Sequence, residues 1–419
     1  MFNYGGQQYK TSETAAANYL RRPTLWQDRK GLSRRCRSFS TMARFQYRLQ
    51  TALAGLLGVG FSFLLMGWCY IPSAQAAPIP SLNLPIAYLP PGDAITDPKA
   101  LLRYALPIDS PEIRKVQDKL EGLNYALRTK QWGRAKREIN GSAKLLNRKR
   151  SAIVEAIPEE RRSLADPLFE QISLQLEGMQ TAAQSKDLET LWTERRSVLN
   201  AIGDLEGLMV KGFPYEVPAD YDNLPQLKGR ATVEFKTNEG LVSVVVDGYS
   251  APVTAGNFVD LIERGFYDGM TFDRAEENYV LQTGDPDGPE AGFIDPKTKK
   301  YRAIPLEILV EGDDAPTYGA TLEELGRFLE KPVLPFNSFG ALAMARPESE
   351  PDGGSSQFFF FLFEPELTPA GLNLLDGRYA VFGYTIDGQD ALDRMGRQGG
   401  KIISAQVVDG LDNLVAPQA

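Results

Sequence analysis

The sequence TFDRAEENYVLQTGD occupies residues 271–285 and sets Arg274 ahead of a short run of strand-forming residues. It lies in a region, from about Gly229 onward, where apolar residues alternate or form short runs instead of following a helical period. Residues 231–235 and 241–246 are two such runs with a polar turn between them, which predicts a β-hairpin. The second half of the chain is therefore predicted to be a β domain.

Five further short motifs lie before and after this segment. They are TAGNF at 254–258, GFYDG at 265–269, LAMA at 342–345, SSQFF at 355–359 and LDGRYAVFG at 375–383. Together they resemble the conserved blocks of the cyclophilin-type peptidyl-prolyl isomerases. The resemblance covers roughly residues 229–410 and implies a closed antiparallel β-barrel with flanking helices, over a domain of residues 229–415 with an insert at about 286–340.

The resemblance also implies a site. Its catalytic residues would be Arg274, Gln282 and Phe359. Its substrate-binding residues would be Tyr279, Val280, Ala345, Arg346, Gln357, Leu374, Leu375 and Tyr379. No metal ion and no cofactor is expected.

These residue types suit the reaction. The amide bond has a rotation barrier of about 20 kcal/mol because resonance keeps it planar, and X-Pro bonds interconvert in tens of seconds. A catalyst needs only an apolar slot for the proline ring and donors that favour the twisted amide. A guanidinium carries a permanent charge and a rigid set of donors, and the resemblance implies that Arg274 is the group that supplies them.

Several positions depart from the typical cyclophilin pattern. Asp273 stands where histidine is usual, and Arg346 stands where asparagine is usual. Leu374 replaces a tryptophan, Tyr379 a histidine, and Tyr279 and Val280 replace a phenylalanine and a methionine. Two of these changes add charge near the groove, so altered substrate choice is expected, and loss of the tryptophan argues against strong cyclosporin binding.

Charge and composition restrict the functions further. Residues 213–419 contain 16 basic and 34 acidic residues, a net charge of −18, which disfavours nucleic acid as a partner. The chain contains no histidine, which excludes Ser-His and Cys-His catalysis. Its two cysteines, Cys36 and Cys69, both lie in the first 76 residues.

The N-terminal 76 residues are predicted to be a leader. Arg44 and Arg48 precede an apolar run from Ala52 to Tyr70, and small residues follow with the Ala-x-Ala spacing of a signal peptide, so cleavage is expected after Ala76. The true start is predicted to be Met42. For the segment before Met42, a transit peptide and a twin-arginine signal at residues 34–35 stay open. For the apolar run from Ala52 to Tyr70, an uncleaved membrane anchor stays open.

A proline-rich linker over 77–96 is followed by a helical region over 97–212 and a second linker over 213–228. Apolar residues recur at helical spacing in four stripes, which predict an up-and-down four-helix bundle. Ser110 is the predicted N-cap of the first helix and Ser185 that of the fourth. The second helix is strongly basic, with Glu138 as its one acidic residue between positions 128 and 150. A solvated face, a membrane or acidic-loop contact, and docking on the acidic domain stay open.

The order of leader, helical region, linker and barrel with an insert resembles the thylakoid-lumen cyclophilins. Segments in the insert carry this likeness, notably PLEI at 305–308, YGATLEELG at 318–326 and PFN at 335–337. The resemblance implies a protein of the thylakoid lumen or periplasm of an oxygenic phototroph that assists photosystem II assembly by acting on proline-containing loops. The alternative hypothesis is a non-catalytic chaperone or assembly factor that uses the groove for binding and is regulated by the bundle.

Overall fold

The computed structural model describes residues 95–289, 291–363 and 373–417. None of the helices in these ranges combines the length and the apolar character that a membrane crossing needs. The predicted leader and most of the first linker lie outside the described residues.

The first part of the described chain is helical. Its helices are α1 (Pro98–Tyr104), α2 (Pro111–Glu121), α3 (Leu123–Arg128), α4 (Trp132–Glu155), α5 (Ala165–Ser185) and α6 (Leu188–Gly207), with a 3₁₀ turn at Glu159–Leu164. The stripe predicted for the first helix is fully buried, since Ile113, Val116, Leu120, Leu123 and Leu127 are each 0% exposed. Burial of one apolar stripe from each helix forms a shared core, as the periodicity predicts.

The structure confirms that this region is helical, but it does not confirm the predicted four-helix bundle. The first predicted helix is interrupted at Gly122 and becomes α2 and α3, and α1 precedes it without having been predicted. The third predicted stripe begins at Leu164 and implies that this side chain is buried, but Leu164 is exposed and Phe169 is buried. These differences arise where short connections let the chain bend between helices.

The caps also differ from the prediction. Ser110 precedes α2 as predicted, but its hydroxyl makes no capping bond. Ser185 does not cap the fourth stripe, because it is the last residue of α5. Asp187 begins α6, with its carboxylate accepting the N–H of Thr190 at 3.1 Å. A carboxylate at this position satisfies a free helix N–H and also favours the positive end of the helix dipole.

The basic residues of α4 are partly balanced by neighbouring helices. Lys149 pairs with Glu112 of α2 at 3.5 Å and Arg150 with Asp166 of α5 at 2.8 Å. Glu138, the acidic residue of this stretch, pairs instead with Lys119 of α2 at 2.9 Å. Some basic residues of α4 therefore have acidic partners on the neighbouring helices.

The second part of the chain is built on an eight-stranded antiparallel sheet. Its strands are β2 (Arg230–Thr237), β3 (Leu241–Asp247), β4 (Arg274–Glu276), β5 (Val280–Thr283), β8 (Ala341–Met344), β9 (Phe358–Phe361), β10 (Val381–Asp387) and β11 (Ile402–Asp409). The strand order is β11-β2-β3-β10-β8-β9-β5-β4. Two small ladders, β1 (Gln226–Leu227) with β12 (Leu414–Val415) and β6 (Glu307–Ile308) with β7 (Thr317–Tyr318), complete the strands described. The predicted hairpin is β2–β3.

A fully closed barrel is not what the hydrogen bonding shows. Within the described residues, β11 and β4 are the two ends of the sheet and do not pair with each other. The segment before β4 is linked to the start of β11 by the isolated antiparallel pair of Thr271 with Lys401 and by backbone hydrogen bonds between residues 269–272 and 400–402. The sheet is long and register shifts occur at both β10 ladders, which is the local irregularity that bends strands.

The alternation of side chains along β9 separates two apolar faces. Phe358 and Phe360 pack into the larger core with Phe235, beneath helix α7 (Pro252–Glu263) and beside α8 (Gln389–Gln398). Phe359 and Phe361 belong to the opposite face. Because neighbouring residues of a strand point to opposite sides, the run of four phenylalanines serves both faces.

Helix α1 covers part of that opposite face. Leu101 and Leu102 pack in the same apolar cluster as Phe361. Arg230 on β2 donates from Nη2 to the carbonyl of Leu102 at 2.6 Å. The helical region is thus attached to the sheet by apolar packing and a polar contact.

The insert between β5 and β8 has little regular structure. The sequence of residues 321–325 predicts a helix, whereas in the structure residues 322–326 form consecutive turns. Leu322 packs in a small core with Leu306, and its N–H donates to the carbonyl of Gly377 at 2.9 Å. Gly377 has φ +77°, and a Cβ there would lie 2.9 Å from Leu322, so glycine permits this close approach. This contact joins the insert to the chain around Leu375.

Candidate active site

The strand register brings the three predicted catalytic residues into one row. Arg274 on β4 is paired with Gln282 on β5, and Gln282 is paired with Phe359 on β9. Ala343 on β8 continues the row opposite Phe359. Directly opposed residues in antiparallel strands point to the same face. The guanidinium, the carboxamide and the aromatic ring therefore lie side by side on the face that carries Phe359.

Arg274 is held at one end of this row. Its Nε donates to Oε1 of Glu276 at 2.7 Å, and its guanidinium carbon lies 5.7 Å from the centre of the Tyr279 ring. The hydrogen bond with Glu276 raises the pKa of Arg274, so the group is charged at any physiological pH. Glu276 engages Nε, so this bond leaves the terminal nitrogens of a cavity-lining arginine available to a ligand.

Gln282 is oriented by a chain of carboxamides. Its Nε2 donates to Oε1 of Gln357 at 2.8 Å, and Nε2 of Gln357 donates to the carbonyl of Ala291 at 3.0 Å. This arrangement fixes which atoms of Gln282 face the groove. It leaves a second N–H of its amide for a substrate carbonyl.

The floor of the groove is apolar. The Phe359 ring is 5% exposed, stacks on Phe336 at 6.0 Å and meets the edge of Tyr379 at 5.6 Å. Val280, Ala345 and Leu375 complete a cavity of about 220 Å³. That volume and lining suit a small apolar ring with polar groups at its rim.

Arg346 forms the wall beyond Ala345. Its Nε and Nη2 donate to the carbonyl of Arg378 at 3.1 and 2.7 Å, and Nη1 donates to the carbonyls of Pro347 and Glu348 at 2.9 and 3.1 Å. Its guanidinium also lies 5.3 Å from the centre of the Tyr379 ring. The side chain is therefore held firmly, although it replaces a shorter residue of the typical pattern.

Nine of the eleven predicted site residues line this cavity; they are Arg274, Tyr279, Val280, Gln282, Ala345, Arg346, Phe359, Leu375 and Tyr379. Gln357 lies behind Gln282 and contacts it directly. Leu374 is 90% exposed and is not part of the lining. Asp273 is also outside the lining, and Thr271 donates to its carboxylate at 3.4 Å.

Two residues matter to this geometry beyond those predicted. Glu276 fixes the guanidinium of Arg274, and its position two residues further along the same strand was the available signal. Phe336 supports Phe359 from below and comes from the insert, far away in the sequence. Its backbone N–H donates to Asp376 at 2.8 Å, which ties it to the segment carrying Leu375.

The cavity can therefore hold an apolar ring between fixed donors. Its lining contains no side-chain nucleophile aligned with a general base, and within the described residues no group of three or more acidic or sulfur ligands could hold a metal ion. A rigid guanidinium beside an apolar floor acts by stabilising a redistributed charge, not by bond formation.

Comparison with known protein families agrees with this geometry. Residues 232–409 match the family described as cyclophilin type peptidyl-prolyl cis-trans isomerase. Residues 97–210 match the PsbQ-like domain of the CYP38-like peptidyl-prolyl cis-trans isomerases. The helical region and the sheet therefore each correspond to a recognised domain.

Two relatives align with most of this chain, so their similarity extends over both the helical region and the sheet. A Synechocystis protein named for a thylakoid lumen peptidyl-prolyl cis-trans isomerase is 54% identical over 336 residues, which cover 80% of this chain and 88% of that protein. The chloroplast isomerase CYP38 of Arabidopsis thaliana is 42% identical over 405 residues, covering 93% of this chain and 92% of its own. Given the row of site residues and these relatives, the chain belongs to the cyclophilin-type peptidyl-prolyl cis-trans isomerases that carry an N-terminal PsbQ-like domain.

Proposed function

We propose that this protein is an exported isomerase of X-Pro bonds that assists the folding of thylakoid membrane proteins, photosystem II subunits among them. Its proposed location is the thylakoid lumen or periplasm of an oxygenic phototroph. The names of its relatives, which refer to the thylakoid lumen and the chloroplast, support the location. The PsbQ-like helical region supports the link to photosystem II.

The row formed by Arg274, Gln282 and Phe359 carries the proposal. The proline ring would rest on Phe359 among Val280, Ala345 and Leu375. Arg274 would donate toward the prolyl nitrogen as amide resonance is lost, and Gln282 would hold the preceding carbonyl. Donors that are already in place spend no reorganisation energy when the amide twists, which is the source of rate enhancement in such a site.

A test peptide containing Ala-Pro measures this function directly. The chain from Ala77 onward, the expected mature form, should accelerate cis-to-trans relaxation. Arg274→Ala should lower kcat/KM by roughly 10²- to 10³-fold, the usual cost of removing one donor to a developing charge. Arg394→Ala is a matched control, because Arg394 is a half-exposed arginine outside the cavity lining that pairs with Glu239 on the turn between β2 and β3.

The second candidate is a binding protein that uses the groove without turnover. The departures at Asp273, Arg346 and Leu374 favour it, and so does the packing of α1 on the face that carries Phe359. No acceleration by a folded chain that still binds the peptide would favour this candidate over the enzyme. Regulation by the helical region would then appear as a change in peptide affinity when the Leu101 and Leu102 contacts are weakened.

A further inference from the structure

Arg346 is the one charged residue of the cavity wall whose side chain is fixed entirely by neutral groups. Four hydrogen bonds reach three backbone carbonyls, and the flat guanidinium lies over Tyr379. A guanidinium has five N–H donors, so one N–H of Nη2 is left after these contacts. The position of the charge is therefore set before any peptide arrives.

Within the described part of the chain, the charge of Arg346 is not neutralised by a direct ion pair. None of the described carboxylates pairs with Arg346, and its contact with Glu348 involves the backbone carbonyl. In the adjacent insert, Glu323 pairs with Arg378 at 2.6 Å. Glu324 accepts from Thr321 at 2.8 and 2.9 Å, and these hydrogen bonds, with a smaller effect of Arg346, lower its pKa, but it makes no direct ion pair with Arg346. A cation held by carbonyl dipoles keeps its net charge available to a ligand.

Among the described residues, the remaining lining contains no acidic group that could balance it. Arg274 is the other charged residue of the cavity, and Glu276 already pairs with it. The domain as a whole is acidic, with the net charge of −18 given above. Exposed charges further away than about 8 Å are largely screened at physiological ionic strength, so the groove presents a local positive site.

We propose that Arg346 determines specificity by selecting peptides that carry a carboxylate next to the proline. The inference rests on the proposed function and names its substrate class. The floor that would take the proline ring includes Ala345, and Arg346 is the next residue along the wall. A side chain flanking the proline therefore meets the guanidinium, and a charge-assisted hydrogen bond rewards Asp or Glu there over Gln.

The test compares matched peptides on the intact mature chain. Two pairs differ only in Glu against Gln, one pair directly before the proline and one directly after it. NMR titration gives Kd, and exchange spectroscopy gives the rate of isomerisation for each peptide. At low salt we expect about tenfold tighter binding of one Glu peptide over its Gln partner, equivalent to ~1.4 kcal/mol. The preference should shrink in high salt.

Variants assign that preference. Arg346→Gln should reduce the Glu-to-Gln ratio to within about twofold, and Arg346→Lys should retain part of it because the charge stays. The quantity compared is the ratio of the affinities for the Glu and Gln peptides. A general loss of binding, caused by loosening of the wall, affects both affinities and leaves this ratio unchanged. Arg378→Gln is the control, because Arg378 is a neighbouring arginine already paired with Glu323, and it should keep the preference.

The outcomes separate this inference from the proposed function. Equal affinity for Glu and Gln peptides, or a ratio unchanged in Arg346→Gln, overturns the inference while turnover of the Gln peptides leaves the isomerase standing. If a folded chain neither binds nor turns over any of the four peptides, both the inference and the proposed function fail.

Discussion

The arginine in the groove depends on a partner that lies two residues away on its own strand. Arg274 and Glu276 are both about half exposed, with side-chain exposures of 48% and 51%, so their ion pair contributes little to stability. Its effect is geometric, because the bond to Nε leaves the terminal nitrogens available to a ligand. Glu276 is therefore a positioning residue, and its removal should affect turnover more than folding.

Replacing Glu276 tests this role. Glu276→Ala should lower kcat/KM roughly tenfold, about 1.4 kcal/mol, because the guanidinium loses its anchor. Glu276→Gln keeps an acceptor oxygen and should stay within about threefold of the parent. Both variants should unfold at nearly the parent temperature in a thermal melt. Equal losses of activity in the two variants would mean that the negative charge, not the anchoring bond, is what matters.

Among the elements, α6 shows how local chemistry sets a boundary that periodicity misses. The apolar stripe predicted the helix, but Ser and Asp are both good N-caps and stand two positions apart at Ser185 and Asp187. The structure uses Asp187, whereas the Ser185 hydroxyl donates back to carbonyls of its own helix at 3.1 Å. Lys186, in the left-handed conformation with φ +60°, separates the two helices.

This assignment predicts unequal effects of two alanine substitutions. Asp187→Ala should lower the free energy of unfolding by about 1 kcal/mol, because it removes the cap of α6. Ser185→Ala should change it by less than about 0.5 kcal/mol, as is usual for surface sites without such a role. Urea denaturation followed by circular dichroism measures both. A larger loss in Ser185→Ala than in Asp187→Ala would show that the cap has been placed wrongly.

Across the whole molecule, buried carboxyls replace histidine as groups that titrate near neutral pH. Burial raises the pKa of Glu206 to about 7, even though Arg114 lies 3.3 Å away. Burial likewise raises the pKa of Glu307 to about 7, against the opposing effect of the Val253 and Thr254 N–H groups. Burial also raises the pKa of Asp376, beneath the groove, to about 6.

These shifts predict that mild acid stabilises the fold. A carboxyl whose pKa is raised in the folded state binds its proton more tightly there, so the free energy of unfolding rises as pH falls from about 7 toward 4.5. We expect a higher unfolding temperature at pH 5.5 than at pH 8, with a contribution on the order of 1 kcal/mol from each glutamate. Because the chain has no histidine, that residue type does not compete in this range.

Glu206→Gln provides the control for this prediction. It should flatten part of the pH dependence and raise stability at pH 8, where the parent must bury a charged carboxylate. A parent protein that is equally stable at pH 5.5 and pH 8 would contradict the assignment. So would a Glu206→Gln variant with the full pH dependence.

The sequence by itself determined the division into a helical and a β region, and it predicted most of the residues that line the cavity. Helical stripes such as Ile113 to Leu127 are recognisable because burial on one face imposes its period on the chain, and the β2–β3 hairpin follows from alternation around a turn. Arg274, Gln282 and Phe359 are predicted from motifs that follow one another in the order typical of the family. Such motifs indicate the family even though they do not show which residues are in contact.

Tertiary structure decided what depends on distant partners. The stacking of Phe336 on Phe359, the carbonyl bonds that hold Arg346, the packing of α1 against the sheet and the open hydrogen bonding between β4 and β11 all join residues far apart in the chain. An apolar period of two or 3.6 residues indicates which face of a strand or helix is buried, but it does not indicate which residues pack against that face. Those contacts, not the motif alone, fix how the groove holds its charges.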